Sequence, residues 1–149
     1  MTEVGRVLLT AAVLTLSAFA SFAWRISRTD ASQPERLIGE LRLAQWAAVL
    51  FAATGAASIG FAAARPSIPL GTIDATIAVL CVVVAGMVLQ REPRAGLLIA
   101  AWAFLGHALF DVSHRQGLLS DDLVPRWFAG SWAVWDLAMA AICLWGRRR

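Results

Sequence analysis

The segment Leu43–Ala64, LAQWAAVLFAATGAASIGFAAA, contains no aspartate, glutamate, lysine, arginine or histidine. An α-helix of this length rises about 33 Å at 1.5 Å per residue, which matches a bilayer hydrocarbon core of about 30 Å. A charge-free segment of that length is typical of a transmembrane helix. It therefore indicates a membrane protein before any other feature is considered.

Apolar segments of similar length recur on both sides of this one, and we predict an all-α, polytopic helical bundle that forms a single domain. The five predicted transmembrane helices are 4–24, 43–64, 71–90, 95–114 and 127–146. The composition agrees, because 59% of the 149 residues are hydrophobic and 15% are charged, against about 45–50% and 25% in soluble proteins. The lipid bilayer is thus the expected partner of most of the surface.

The first apolar segment has a second interpretation, since Ala18-Phe19-Ala20 matches the cleavage pattern of a signal peptide. However, this segment is longer than a typical signal core, and its positive charges, Arg25 and Arg28, follow it rather than precede it. We therefore expect a retained helix.

The net charge of +3 comes entirely from arginine, because the chain has no lysine. The arginines lie between the predicted helices and at the C-terminus and form no basic face, so no nucleic-acid partner is expected. Nine would lie on one side of the membrane: Arg25, Arg28, Arg36, Arg42, Arg91, Arg94, Arg147, Arg148 and Arg149. The other side would hold four: Arg6, Arg65, Arg115 and Arg126. The positive-inside rule then predicts a cytoplasmic C-terminus and an external N-terminus.

Asparagine and tyrosine are also missing from the chain. Lysine, asparagine and tyrosine all use AT-rich codons, so their absence indicates a GC-rich, bacterial gene. The predicted location is therefore the bacterial cytoplasmic membrane.

The connection before the second span carries a helix-start signal. In Ser32-Gln33-Pro34-Glu35 the serine and glutamate have the spacing of a capping box, and proline suits a first helical turn. We expect the second helix to begin in the cytoplasm near Gln33. Arg36 and Arg42 on this segment are interpreted as solvated charges or as contacts for anionic lipid.

Polar residues concentrate in the predicted fourth and fifth spans. His107, Asp111 and His114 lie within an arc of about 60° on one helix face. Asp136 lies near the middle of the fifth span, at a depth comparable to that of His107, so the two can meet. Asp74 in the third span is a further candidate for the same region.

A carboxylate at this depth costs at least a few kcal/mol to insert, so it is expected to be paired, protonated or facing water. Asp136, His107 and Asp74, with the aromatic side chains Trp132 and Trp135, are therefore the candidate residues of a proton or small-ligand site. The competing interpretation is a carboxylic acid that only joins two helices by a hydrogen bond.

His107, Asp111 and His114 also have the side chains of a zinc or iron site. The alternative is that Asp111 pairs with Arg115 one turn further on. Cys81 and Cys143 lie inside apolar segments without metal-site spacing and are interpreted as small buried hydrophobic residues.

These features leave three functional hypotheses. The first is a binding or transport protein for a proton or small ligand, with its site in the outer half of the bundle. The second is a metal-dependent intramembrane hydrolase, and the third is a structural or accessory subunit of a membrane complex. No glycine-rich phosphate loop is present, so nucleotide chemistry is not expected.

Overall fold

The computed structural model describes residues 3–64, 72–115 and 126–147, with only the backbone described at residues 62, 64, 72, 114, 115 and 126. The described residues form a bundle of five α-helices. They are α1 (Glu3–Arg28), α2 (Pro34–Ala64), α3 (Thr72–Leu89), α4 (Pro93–Arg115) and α5 (Arg126–Arg147). The predicted all-helical architecture is confirmed.

Four of the described helices, α1, α2, α4 and α5, are long and apolar enough to cross a membrane. In α3 the apolar stretch is shorter and covers Ile73–Leu89. The 18 residues of α3 rise about 27 Å, which is close to the thickness of the hydrocarbon core. The fifth crossing therefore stays a prediction. Many large apolar side chains are exposed on the bundle surface, as a surface in contact with lipid requires.

Helix α4 lies at the centre of the packing. It contacts α5 most extensively and also packs against α2 and α3, while α1 packs against α5 and α2. The core between these helices is built largely from alanine and a few large side chains such as Phe104, Leu97 and Met139, all fully buried. Because alanine is small, the helix backbones approach closely.

Gly55 lies at one of these close approaches, between α2 and α3. A Cβ atom at Gly55 would lie 2.7 Å from Cys81 Cβ and 3.0 Å from the backbone oxygen of Ala78. The contact between α2 and α3 thus requires glycine at this position. Cys81 and Cys143 are both buried and free, as predicted.

The turn between α1 and α2 corrects one prediction. Helix α2 begins at Pro34, close to the predicted start, but the capping box at Ser32 and Glu35 is not what organises the turn. Ser32 instead donates both its backbone N–H and its hydroxyl to Asp30 Oδ1, at 2.9 and 2.8 Å. The Asp30 carboxylate can accept both hydrogen bonds because Asp30 lies two residues before Ser32, which is the usual spacing of an Asx turn. These hydrogen bonds, the backbone one first, hold the pKa of Asp30 below its usual range.

Arg36 corrects a second prediction, because its side chain is buried rather than solvated. Its Nε donates to Glu40 Oε1 at 2.9 Å, and Nη1 donates to the backbone oxygen of Thr29 at 3.1 Å. Arg94 of α4 donates to both oxygens of the same carboxylate, at 3.0 and 3.1 Å. Glu40 is 2% exposed. This cluster of Arg36, Glu40 and Arg94, the Glu40 network, ties α2 and α4 together at the arginine-rich end of the bundle.

Candidate functional site

Three ionisable side chains meet in the interior of the bundle, between α4 and α5. The ring of His107 places Nδ1 2.7 Å from Asp136 Oδ2 and 3.6 Å from Asp111 Oδ2. The first distance is a short hydrogen bond and the second is an ion-pair distance. We call His107, Asp111 and Asp136 the triad.

The positions of the triad follow from helix geometry. His107 and Asp111 are one turn apart on α4, so their side chains lie on the same face. Asp136 is ten residues after the first residue of α5 and eleven before the last, which places it about 15 Å from either helix end. The face of α4 that carries the pair is the one packed against α5, and the close packing of these two helices brings Asp136 to the imidazole.

All three side chains are shielded from the surface. Asp136 is 0% exposed, and His107 and Asp111 are each 7% exposed. Two carboxylates and one imidazole carry one net negative charge when the histidine is protonated and two when it is neutral. In the described part of the chain, every arginine that forms an ion pair pairs with Glu40 and not with the triad. With both carboxylates ionised, the triad would therefore carry negative charge that its own residues do not balance.

Two carboxylate oxygens of the triad have no hydrogen-bond partner among the described residues. They are Asp111 Oδ2 and Asp136 Oδ1, and both are buried. Burying an unpaired charged oxygen is costly, and the cost rises in a medium of low dielectric constant. Asp111 Oδ2 faces His107 Nδ1 across 3.6 Å, so this oxygen, which accepts no hydrogen bond from a described residue, lies on the inner side of the triad.

The triad also has the atoms of a metal site. One nitrogen or oxygen from each residue can be chosen so that all three lie within 4.8 Å of one another. Two ligands of a tetrahedral zinc ion, each at about 2.1 Å, are separated by about 3.4 Å. The distance of 3.6 Å between His107 Nδ1 and Asp111 Oδ2 fits that separation directly.

No family model, curated protein or solved structure matches this chain. Its function is therefore inferred from the chemistry of the site. The relevant chemistry is that of a buried group of carboxylate and imidazole ligands inside the helical bundle.

Aromatic rings pack beside the triad. The Phe51 ring lies edge-on to His107 with centroids 6.2 Å apart, and Phe110 is tilted against the same imidazole at 5.9 Å. Phe51 in turn packs edge-on against Phe104 at 5.1 Å. These apolar neighbours fix the orientation of the imidazole and keep its surroundings poor in polar groups.

The two predicted tryptophans line a different feature. Trp132 and Trp135 stack on each other with centroids 5.4 Å apart, and Trp132 also stacks on Phe128 at 4.5 Å. Trp135 donates its Nε1–H to the backbone oxygen of Ala12 at 3.3 Å. Both indoles line an apolar groove of about 130 Å³ between α1 and α5, and no triad residue lines that groove.

Of the remaining predicted site residues, the structure describes the side chain of Asp74 only, and it does not bring Asp74 into the triad. Asp74 lies in the first turn of α3, is 9% exposed, and does not belong to the described cluster of metal-type ligands. His114 lies in α4, but its side chain is outside the described residues, as is that of Arg115. The prediction that places His114 at a metal and the one that pairs Asp111 with Arg115 are therefore untested.

Sequence reasoning missed the Glu40 network. Arg36 and Glu40 have the one-turn spacing of a helical ion pair, which is a usable signal. The third member, Arg94, is 54 residues away from Glu40 in the chain, and no local pattern connects the two. The network is a structural feature at the end of the bundle opposite to Asp111.

Proposed function

We propose that this protein is a cation-binding protein of the bacterial cytoplasmic membrane and that it acts in transport. The observation that carries the proposal is the triad, whose two carboxylates are buried at the middle of the bundle and pair with no arginine side chain that the structure describes. Intramembrane ionisable residues of this kind commonly mark ion or substrate pathways. A bound cation would balance the charge of the ionised carboxylates and use the two carboxylate oxygens that lack a hydrogen-bond partner among the described residues.

The direction of the site follows from the proposed topology. With nine arginines on one side and four on the other, the C-terminal end of α5 is assigned to the cytoplasm. Asp111 then lies four residues, or about 6 Å, from the external end of α4 at Arg115. Asp136 lies deeper, so the triad extends from the outer half of the bundle towards its middle. We infer that the cation enters from outside.

The proposal is tested by flux into vesicles that contain the purified protein. The panel comprises proton, monovalent-cation and divalent-cation gradients, each followed with a dye specific for that ion. Wild-type protein is expected to carry at least one of these cations, and Asp136→Asn, which keeps the shape of the side chain, is expected to abolish that flux. Ser131→Ala is the matched control, because Ser131 is exposed on the same helix and its hydroxyl donates to the backbone of Trp127.

Two outcomes of the vesicle experiment contradict the proposal. One is that no cation in the panel crosses faster than in protein-free vesicles. The other is that the flux is the same in wild type and Asp136→Asn, because the path would then bypass the triad.

A metal-dependent hydrolase is the second candidate function, and the donor set of one imidazole and two carboxylates favours it. Three protein ligands leave a coordination position for water, whose pKa a bound zinc ion lowers to about 7. The test is release of fatty acid or headgroup from lipid vesicles by the zinc-loaded protein. Release that is unchanged in Asp111→Asn would contradict this candidate.

The accessory-subunit hypothesis makes a different prediction. It expects the chain to co-purify with a membrane complex, and it expects the triad only to join α4 and α5. In that case Asp136→Asn would alter stability or assembly, and the wild-type protein would have no cation-dependent property for the variant to lose.

A further inference from the structure

The ligand chemistry of the triad is narrower than that of a general cation site. Imidazole nitrogen suits zinc, iron, nickel and copper, whereas magnesium and calcium prefer sites made of oxygen. The two carboxylates suit harder ions such as manganese. A set with one nitrogen and two carboxylate ligands therefore favours a divalent ion of the first transition series over an alkali or alkaline-earth ion.

Charge selects the same class of ion. A neutral histidine and two ionised carboxylates carry a charge of −2, so one divalent cation makes the site electrically neutral. A monovalent cation would leave one negative charge in the bundle interior. Because uncompensated charge is costly at this depth, the neutral assembly is the favoured one.

Geometry supplies an independent observation. Asp111 Oδ2 is buried, lacks a hydrogen-bond partner among the described residues and faces His107 Nδ1. Its 3.6 Å separation from that nitrogen matches the spacing of two ligands on one ion. Asp136 contributes a second unpartnered oxygen, Oδ1, beside the Oδ2 that contacts the imidazole.

We infer that His107, Asp111 and Asp136 form a binding site for one divalent transition-metal ion of the zinc or manganese class. This inference rests on the proposed function, because it names the cation that the triad binds. His107 Nδ1 is the nitrogen ligand, and each aspartate supplies at least one oxygen. When His107 starts as the imidazolium, the ion replaces its Nδ1 proton in the 2.7 Å hydrogen bond to Asp136, that proton is released to solvent, and Nε2 keeps its own proton, so the ligand is a neutral imidazole.

The test is equilibrium dialysis of the detergent-purified chain against Zn²⁺ and Mn²⁺, with Ca²⁺ and Na⁺ as comparison ions and bound metal measured by mass spectrometry. Wild-type protein is expected to bind one Zn²⁺ or Mn²⁺ per chain. Asp136→Asn, Asp111→Asn and His107→Ala should each weaken the affinity at least about 10-fold, because even residues behind the ligands change it by that much. The three variants are tested separately, so a single variant that fails to fold leaves two.

Two controls separate the triad from other ligands. Glu35→Gln removes an exposed acidic residue of α2 and should leave binding unchanged. The double variant Cys81→Ala, Cys143→Ala removes both thiols and should also bind normally. X-ray absorption at the zinc edge is expected to show nitrogen and oxygen neighbours at about 2.0–2.2 Å and no sulfur at about 2.3 Å.

The outcomes distinguish this inference from the proposed function. Stoichiometric binding that survives the triad variants, or a sulfur neighbour, overturns the inference. If no divalent ion binds while the vesicles carry protons or a monovalent cation through Asp136, the inference fails and the proposed function stands. If no divalent ion binds and the vesicles carry nothing, both fail.

Discussion

Replacement of Glu40 by glutamine should destabilise the protein more than any other single change of charge outside the triad. The Glu40 carboxylate accepts three charged hydrogen bonds, one from Arg36 and two from Arg94. Its loss leaves Arg36, whose side chain is 5% exposed, as a buried cation that keeps its hydrogen bond to Thr29 but has no charged partner. Removing one partner of a buried ion pair costs about 3–5 kcal/mol.

The structure favours the lower end of that range. Arg94 is 46% exposed as a side chain, so solvent screens its ion pair, and an exposed pair of this kind contributes only about 0–1 kcal/mol. We therefore expect Glu40→Gln to cost about 3 kcal/mol and Arg94→Gln to cost about 1 kcal/mol. The difference comes almost entirely from the buried partner, Arg36.

The assay is equilibrium unfolding in mixed detergent micelles with increasing dodecyl sulfate, followed by helical circular dichroism. Glu35→Gln is the matched control, because Glu35 is an exposed acidic residue one turn earlier on the same helix, and no measurable change is expected. The double variant Arg36→Met, Glu40→Met should be more stable than Glu40→Gln, since it replaces the buried charge at position 36 by an apolar side chain. A cost of Glu40→Gln below 1 kcal/mol, or an equal cost for Glu40→Gln and Arg94→Gln, would refute this reasoning.

Three further predictions concern packing and topology. Gly55→Ala should destabilise the bundle by about 1–3 kcal/mol, because the added methyl group meets Cys81. The control is Gly60→Ala, where the methyl group has open space, and it should be neutral in the same unfolding assay. Equal effects of the two substitutions would contradict the tight contact at Gly55. Trp135→Phe removes the hydrogen bond to Ala12 and part of the stacking on Trp132, so it should cost about 1–2 kcal/mol in the same unfolding curves, and no measurable loss would contradict the contact between α1 and α5. A reporter enzyme that works only in the cytoplasm should be active when it is fused to the C-terminus, and a reporter that works only outside the cytoplasm should be inactive there. The opposite result would contradict the proposed topology.

Helix positions were predictable because apolar length and charge-free composition are local properties of the chain. Helix α5 begins and ends within one residue of its predicted span, and α2 begins at Pro34, beside the predicted start. The predicted end of the first span, at residue 24, is short by four residues because α1 continues through Arg25 to Arg28. A charged residue ends the apolar segment but does not end the helix.

Part of the candidate site was also predictable. Depth along two helices suggested that His107 and Asp136 can meet, and the one-turn spacing put Asp111 on the same face as His107. The sequence did not show which face of each helix points inward, because lipid and protein interior are both apolar and hydrophobic periodicity is weak in such helices. For this reason the sequence did not show that Trp132 and Trp135, four and one residues before Asp136, line the α1–α5 groove.

The Glu40 network and the Asp30–Ser32 turn escaped prediction for other reasons. Glu40 is recognised by Arg94 only after α2 and α4 have packed, so the partner depends on tertiary structure. At Ser32 two local patterns compete, a capping box and an Asx turn, and the sequence contains the residues for both. The sequence predicts Arg36 as a solvated charge or a contact for anionic lipid, whereas its burial depends on Glu40, a partner one turn further along the same helix.

The cation site at the triad is tested most directly by the effect of cations on the free energy of unfolding of the wild type and of Asp136→Asn. One site occupied at a free cation concentration 100 times its dissociation constant stabilises the folded state by about 2.7 kcal/mol. We expect a stabilisation of that size in the wild type for at least one cation, and none in Asp136→Asn. Equal stabilisation of the two proteins, or no stabilisation of the wild type by any cation, would contradict the assignment of the triad as a cation site.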